Sequence, residues 1–203
     1  MEDATLSPDE RAEALKQQAS TTRPPLLSSP HSLQGAKEYA EGRYEKSLDL
    51  FSQAIALAPS NGVFYGNRSA ALFQLQRWRE CCNDCKAASD NGKRSDIKIQ
   101  IRGHKAIMKV ISNDDDLQTA LGFLQAALVC DPRNAEVKAD LDAIKRVQKT
   151  RTEAHLMLEK QPASCLRDVE SALRLVPQHF KLQVLKLQCL SKADKHQQVS
   201  AAA

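Results

Sequence analysis

Four basic side chains between residues 98 and 109 are spaced as neighbours on one face of a helix. They follow one another at intervals of four, three and four residues. At about 100° per residue, all four fall within roughly 60° around a helix axis. Because ammonium and guanidinium groups pair with carboxylates, this basic stripe could bind an acidic segment of another protein. The stripe consists of Lys98, Arg102, Lys105 and Lys109.

Two other interpretations of the basic stripe, as a solvated outer face or as part of an extended strand, stay open from the sequence. Between Lys93 and Lys109 there are six lysine or arginine residues and one acid, Asp96, although the whole chain has a formal net charge of only +4. Such a run of charge is usually a solvated outer face, which is the alternative to a binding site. Residues 97–101 also alternate with a period of two, as in an extended strand, and a strand there would separate Lys98 from the stripe.

Three neighbouring cysteines, Cys81, Cys82 and Cys85, include a C-x-x-C pair of the kind that binds zinc. A structural zinc site needs four ligands, and no second C-x-x-C or histidine pair lies at a suitable spacing. We therefore expect these cysteines to be packing residues of a helix, with no metal and no cofactor bound. The six cysteines fall mostly in amphipathic helical patterns, which favours reduced thiols over disulfides.

No set of residues suited to catalysis is visible. The five histidines are scattered, without a carboxylate, serine or cysteine partner at a recognisable spacing. The acidic run 114–116 lacks the glycine and glutamate of a calcium loop, so we expect it at a helix N-terminus, where carboxylates are stabilised. The basic stripe has no interleaved aromatic residues, which argues against nucleic-acid binding. These patterns predict a binding protein and not an enzyme.

The composition favours an all-α fold. Aromatic residues make up 4% of the 203 residues, while alanine, leucine and charged helix formers are abundant. The start of the sequence lacks the basic and apolar regions of a signal peptide, and no apolar stretch is long enough to span a membrane. We therefore expect no membrane contact and a cytoplasmic location, with the nucleus as an alternative.

Three segments can be distinguished along the chain. Residues 1–29 are rich in serine, threonine and proline and are predicted to form a disordered N-terminal arm. Ser29 is a suitable N-cap with Pro30 at the first helical position, and Gly42 can end that helix in a left-handed conformation. Helical patterns then continue to about residue 192. This division gives a helical repeat domain over residues 30–192 and a disordered tail over residues 193–203.

The chain repeats a pattern of aromatic and small residues about every 34 residues from Ser29 onward. Ala127 before Pro132 and Ala172 before Pro177 extend the pattern, with longer spacings between the alanines. Each small residue allows two helices to approach closely, and each proline ends the second helix of a unit. The clearest matches, each separated by 34 residues, are Tyr44 with Trp78, Phe51 with Cys85, and Ala54 with Ala88.

These repeats resemble the tetratricopeptide repeat (TPR) family, in which two antiparallel helices form each unit. The resemblance covers residues 30–190 and implies an all-α solenoid, a right-handed superhelix of about four helix pairs and a terminal half repeat. Within the family, the motif YGNRSAA at 65–71 and the triplet at 102–104 are similar to the repeat regions of J-domain cochaperones. The His-Pro-Asp triplet typical of a J-domain is absent from these 203 residues, so the resemblance is to the repeat portion.

The resemblance implies a peptide-binding groove lined by the first helix of each unit. In the chaperone-binding members, lysine, asparagine and arginine side chains from three units clamp two carboxylates. Asn67 and Arg102 match clamp positions in this sequence, whereas Ser32, Ala36 and Ala106 replace the other three donors. The predicted peptide-binding residues are Asn67, Arg102, Lys105, Lys109 and Lys98.

Two functions are compatible with this partial clamp. The first is a scaffold of co-chaperone type that binds an acidic peptide, such as the C-terminal tail of a heat-shock chaperone. The second is a TPR adaptor that has lost the clamp and binds another protein partner. The three replaced donors separate these hypotheses, because without them the groove offers fewer partners to a carboxylate.

The last predicted helix has no partner helix after it in the sequence. It carries more apolar surface than one neighbouring helix can cover, and terminal units of repeat proteins normally need a polar cap. We therefore expect self-association or a bound partner at this helix. Its apolar residues are Leu182, Val184, Leu185, Leu187 and Leu190.

Overall fold

Helices make up nearly all of the chain that the structure describes. The structure is a computed structural model that describes residues 29–201, with side chains described up to Asp194. The predicted arm at residues 1–29 therefore lies outside the described residues, apart from Ser29. Within the described range there is no strand. The helices are α1 (Pro30–Ala40), α2 (Tyr44–Leu57), α3 (Gly62–Gln74), α4 (Trp78–Ala88), α5 (Ile97–Met108), α6 (Asp114–Cys130), α7 (Ala135–Lys160), α8 (Pro162–Leu175) and α9 (Phe180–Ala201).

Local signals at the ends of α1 agree with the sequence. The side chain of Ser29 accepts a hydrogen bond from the backbone N–H of Ser32 at 3.0 Å, and Pro30 is the first helical residue. Gly42 has a φ of +77° between α1 and α2, a conformation that costs glycine little. The chain can therefore reverse direction within three residues, and α2 folds back onto α1.

The start of α5 settles whether Lys98 belongs to the basic stripe. Asp96 caps this helix, since one of its carboxylate oxygens accepts a hydrogen bond from the backbone N–H of Lys98 at 3.0 Å. The alternative of an extended segment over residues 97–101 is wrong, because these residues form the first turns of α5. Lys98 and Arg102 therefore lie one turn apart on the same helix.

The helices are arranged as successive pairs. Each helix packs against the next in the chain, so that α1 pairs with α2, α3 with α4, α5 with α6, and α7 with α8. The final helix, α9, packs on α8 and α7. The first helices of neighbouring pairs also touch, as α1 does with α3 and α3 with α5. This confirms the predicted fold class, a solenoid of four helix pairs and a half repeat.

Small residues at the predicted crossing positions are buried. Ala54, Ala88 and Ala127 have no exposed surface, and Ala172 is only 4% exposed. A larger side chain at these positions would push the helices of a pair apart, because protein interiors are already close-packed. The repeated small residues in the sequence therefore mark the positions where the two helices of each pair approach closely.

Two segments are more regular than the sequence suggested. The helix α7 runs without interruption through residues 149–152, where the sequence left a break open. It contains no glycine or proline that would stop it. The helix α9 continues to Ala201 and so includes residues 193–201 of the predicted tail. Alanine, lysine and glutamine in this segment have high helix propensity.

A buried polar junction joins α6, α7 and α9. One carboxylate oxygen of Asp114 lies 3.1 Å from the Arg151 Nε and 3.4 Å from the Nε2 of His179, which is fully buried. The other oxygen lies 2.6 Å from the Lys181 Nζ. Burial lowers the pKa of His179, although the carboxylate of Asp114 opposes this effect. The imidazole is therefore neutral at pH 7.

We expect the chain to lose stability as the pH falls below about 6.5, the ordinary histidine pKa. Because the pKa of His179 is lower in the folded state, the unfolded chain takes up a proton first, and acidification favours unfolding. Replacing this residue, His179→Gln, should flatten the decrease in unfolding free energy between about pH 7 and pH 5.5. Urea denaturation at several pH values measures this change in unfolding free energy. His155→Gln removes an exposed histidine, and its unfolding free energy should depend on pH as in the wild type. An equal pH dependence in the two variants would contradict the role of His179.

A second prediction concerns the contact between α5 and α6. A Cβ added to Gly103 would lie 2.5 Å from the ring of Phe123, whereas one added to Gly122 would have no neighbour within 4 Å. Gly103→Ala should therefore destabilise the chain by about 1–3 kcal/mol through overpacking. Gly122→Ala should stabilise it by about 0.5–1 kcal/mol, because glycine loses more conformational freedom in a helix. Chemical denaturation of both variants would reveal opposite signs, and a stable Gly103→Ala would show that Phe123 can move aside.

Candidate peptide-binding groove

The basic stripe lies on the face of α5 that is turned away from α6. Gly103 contacts Phe123 of α6, and Lys105 lies two residues further along, about 160° around the helix axis. Lys98, Lys105 and Lys109 are exposed. Since α1, α3 and α5 are the first helices of consecutive pairs, their faces opposite α2, α4 and α6 form one continuous surface. We refer to this surface as the groove.

Asn67 of α3 meets Lys98 and Arg102 of α5 at one cavity of about 200 Å³. Two further charged residues line this cavity, Lys93 from the loop before α5 and the capping residue Asp96. One carboxylate oxygen of Asp96 already accepts the N–H of Lys98. The lining of this cavity therefore contains three cationic side chains, one amide and one carboxylate. This balance suits a second carboxylate, supplied by a ligand.

Arg102 is held in place by the preceding pair. Its Nη1 donates hydrogen bonds to the carbonyl oxygen of Gly66 and to the hydroxyl of Ser69, both at 2.9 Å. The guanidinium group has further donors on Nε and Nη2. Because the side chain is already ordered, a carboxylate that binds these donors loses little additional conformational entropy. Arg102 thus both connects α5 to α3 and faces the cavity.

The other members of the basic stripe lie outside this cavity. The Nζ of Lys105 is 3.7 Å from a carboxylate oxygen of Glu136, and the Nε2 of His104 is 3.5 Å from Asp140. Both acids belong to α7, which therefore lies beside α5 and balances part of its charge. Lys109 directly follows the last residue of α5 and is exposed. The structure thus brings together Asn67, Lys98 and Arg102 and leaves Lys105 and Lys109 apart.

The three positions that lack clamp donors differ from one another in the structure. Ser32 is buried, and its backbone N–H is used in the cap of α1. Ala36 is exposed and lies close in sequence to Leu33, whose surface is 62% exposed. Ala106 is fully buried. The α1 end of the groove therefore presents the apolar side chains of Leu33 and Ala36. At position 106 of α5, the larger side chain of an arginine would have to displace neighbouring residues.

Bidentate ion pairs hold the pairs of helices in register behind the groove. Arg68 of α3 donates from Nε and Nη2 to the two oxygens of Asp84 of α4, at 2.7 and 2.8 Å. Its Nη1 reaches the hydroxyl of Ser52 of α2 at 3.1 Å. Arg79 of α4 pairs in the same way with Asp116 of α6, at 2.5 and 2.9 Å. Each pair connects residues far apart in sequence.

The helical spacing of the basic stripe does not predict that Lys93 and Asp96 line the cavity, and it does not predict the ion pairs behind the groove. Lys93 lies outside the helical spacing of the stripe, so in the sequence it contributes only to the local positive charge. The acidic run at 114–116 does occupy the first turn of α6, as expected, but Asn113 supplies the cap by accepting the N–H of Asp116. A long-range signal, such as a basic residue facing the acidic run, could not have been read from local spacing.

Neither a metal site nor a membrane span is found in the described part of the chain. Cys81, Cys82 and Cys85 are buried side chains of α4, and burial raises the pKa of Cys82 to about 11. Over the residues with described side chains, no three histidine, cysteine or acidic residues are placed to hold a metal. None of the described helices combines the length and apolar character that crossing a bilayer requires.

No protein-family model matches the chain. Over 176 residues it is 31% identical to the DnaJ homolog subfamily C member 7 homolog of Dictyostelium discoideum, with 82% of this chain and 31% of that protein aligned. It is 33% identical over 113 residues to the Hsp70-Hsp90 organizing protein of Triticum aestivum, covering 55% of this chain and 18% of that protein. The chain thus spans about a third or less of the length of these relatives.

A solved structure shows the same arrangement of helices. The TPR domain of P58(IPK) superposes with a TM-score of 0.65 over 95% of this chain and 52% of that one, at 15% sequence identity. At this identity the similarity shows the fold alone. This similarity agrees with the 34-residue repeat of the first two units and with the buried alanines at the crossing positions.

Proposed function

Because the chain belongs to the tetratricopeptide repeat family, we propose that it is a non-enzymatic interaction module that binds an acidic segment of a partner protein in the groove. The observation that carries this proposal is the cavity between α3 and α5, where Asn67 meets Lys98 and Arg102. Charged donors around a cavity of this size favour a carboxylate over neutral groups. The ligand would be an extended segment, since the groove runs across several helix pairs.

The tail of a heat-shock chaperone is the first ligand that we propose for this groove. The name of the wheat relative links that protein to Hsp70 and Hsp90. In this chain, the acidic residues of such a tail would reach Lys98 and Arg102. The α1 end lacks donors at Ala36 and Ser32, so we expect weaker capture than by a complete clamp. A co-chaperone role therefore rests on the α3–α5 part of the groove.

The exposed methyl surface of α1 favours a second candidate function. Leu33 is 62% exposed on this helix, next to the donor-free position Ala36. Such a surface suits an aliphatic side chain in the ligand better than a carboxylate. An adaptor that binds an acidic segment with a neighbouring aliphatic residue, from a partner other than a chaperone, would use both ends of the groove.

Replacing the cations of the cavity should weaken binding of an acidic peptide. We expect Arg102→Ala to cost about 1–3 kcal/mol of binding free energy, the range for a charge-assisted hydrogen bond. Lys98→Ala should weaken binding less. The difference in binding free energy from the wild type should decrease with added salt, because the side chain is exposed. Fluorescence anisotropy with a labelled acidic peptide measures both. Lys46→Ala, which removes an exposed lysine of α2, is the matched control and should bind as the wild type does.

The choice of partner can be tested in the same system. Purified chain bound to beads should recover heat-shock chaperones from cell extract, and an acidic C-terminal peptide should release them. If the labelled peptide binds but no chaperone is recovered, the adaptor function replaces the co-chaperone function. Equal affinity of wild type, Lys98→Ala and Arg102→Ala for the peptide would remove the groove as the binding site.

We also propose that α9 mediates contact between copies of the chain. Phe180 and Leu187 are 68% and 67% exposed, and Val184 lies between them on the same face of the helix. Leu182 and Leu185, which the sequence placed in the same uncovered surface, are instead buried against α7 and α8. The contact surface is therefore the outward stripe formed by Phe180, Val184 and Leu187.

A charged residue on this stripe should give a monomer. Sedimentation velocity should show self-association of the wild type that increases with concentration, and Leu187→Lys should abolish it because a lysine would be buried without a partner. Val129→Lys is the control, since Val129 of α6 is 83% exposed but far from α9 in the chain. A wild type that stays monomeric at high concentration would exclude this contact.

A further inference from the structure

Two cysteines meet in the contact between α8 and α9. The sulfur of Cys189 lies 3.1 Å from that of Cys165. Both side chains are buried, with 0% and 1% of their surface exposed. A disulfide requires a sulfur–sulfur distance of about 2.05 Å, so the two atoms need to approach by only about 1 Å. The thiols of Cys81 and Cys85 also interact, but both lie within α4, whereas Cys165 and Cys189 join two different helices.

This pair lies under α9, the last helix of the described residues. Besides the buried face that contains Leu182 and Leu185, α9 is attached at its start through the Asp114 junction and further along through exposed charges. The Nζ of Lys186 lies 3.0 Å from Glu170 of α8, and Lys192 pairs with Glu159 of α7. Such partly exposed ion pairs contribute little stability. The opposite face of α9 carries the exposed apolar stripe formed by Phe180, Val184 and Leu187.

Among the described helices, α9 packs on α8 and α7, so it opens more readily than a helix held between two pairs. In a solenoid each unit contacts only its neighbours, so α9 can separate without unfolding the pairs before it. When α9 opens, Cys189 moves away from Cys165 and both thiols reach solvent. When it closes, the two sulfurs return to contact. The geometry thus couples the closed position of α9 to the proximity of the thiols.

We propose that Cys165 and Cys189 form an oxidisable dithiol site, in which a hydroperoxide converts the pair to a disulfide that locks α9 onto α8. This assignment goes beyond the sequence-based expectation, which is that the six cysteines are reduced thiols. It also does not depend on the proposed peptide groove, which is built from α1, α3 and α5.

The reaction proceeds in two steps. A thiolate of the pair attacks a peroxide oxygen, the O–O bond breaks, and a sulfenic acid forms while the other oxygen leaves as water after protonation. The second thiol then attacks the sulfenic sulfur, an S–S bond forms, and the S–O bond breaks with release of a second water. In total, two thiols and one hydrogen peroxide give one disulfide and two water molecules. The two electrons pass from the sulfurs to the peroxide oxygens.

The closed pair is protected from rapid reaction. Burial and the neighbouring Cys165 raise the pKa of Cys189 to about 12, so little thiolate exists at neutral pH while α9 is closed. Oxidation should therefore follow the opening of α9 and proceed slowly compared with an exposed thiol. Once formed, the disulfide closes a loop of 24 residues and restricts further opening.

Peptide mapping of the full chain tests the site directly. The chain is treated with hydrogen peroxide, its remaining thiols are alkylated, and it is digested with trypsin. The expected product links the tryptic peptide 161–167, which contains Cys165, to the peptide 187–192, which contains Cys189. Reduction should separate the two peptides. Cys130, which is only partly buried, reports that the oxidant reached the protein.

Two mapping results would overturn the proposal. The first is recovery of both Cys165 and Cys189 as alkylated thiols at a peroxide dose that oxidises Cys130. The second is a cross-link from either residue to one of the other cysteines. Cys130→Ala is the matched variant and should still form the 165–189 link, whereas Cys189→Ala should not. Because the wild type is mapped independently, a variant that fails to fold does not affect the result.

Hydrogen exchange tests whether the disulfide holds α9 against α8. In the oxidised wild type, amide exchange in α9 should slow by on the order of 100-fold, as expected for closing a loop of this length, and a reductant should restore it. Exchange in α3 and α5 should stay unchanged. Peroxide treatment of Cys165→Ala should leave α9 exchange as it was. Unchanged α9 exchange in a chain that mapping shows to be linked would disprove the locking role.

Discussion

Close contact between the two helices of a pair is the constraint on which the rest of this molecule depends. Ala54, Ala88 and Ala127 are completely buried at these contacts, and Gly103 lets α5 rest directly on the Phe123 ring. Once α5 is seated in this way, helical geometry alone determines that the basic stripe faces away from α6. The position of the groove cations therefore follows from small residues on the opposite side of the helix.

Charge is used in two distinct ways along the solenoid. Asp84, Asp116 and Asp114 are acids at junctions between helices, and each is paired with at least one arginine or lysine from another helix. Such partly buried pairs fix register more than they add stability, because desolvation offsets much of the attraction. At the groove the balance is reversed, since Lys98 and Arg102 share their cavity with one acid that is already used as a helix cap.

The helix pairs could be predicted from the sequence because their signals are local. Crossing alanines, terminating prolines and the cap at Ser29 all act within one or two turns of a helix. The composition of the cavity could not be predicted in the same way. Lys93 enters it from a loop, and Lys105 is drawn towards Glu136 across a separation of 31 residues. Contacts of this kind depend on how successive pairs stack, which periodicity within one helix does not encode. The burial of Ala106 has the same origin.

The long helix α7 links the two ends of the molecule that carry the proposals. Its first half meets the groove, where Glu136 and Asp140 approach side chains of α5. Its second half meets α9, where Arg151 shares Asp114 with Lys181. A continuous helix transmits a rigid displacement from one half to the other, whereas a break at residues 149–152 would have uncoupled them. Because solenoid units interact only with their neighbours, any influence of α9 on the groove has to pass through α7 or through the Asp114 junction with α6. The exposed pair of Lys105 with Glu136 is weak at 3.7 Å, so this link between α7 and the basic stripe contributes little to such an influence.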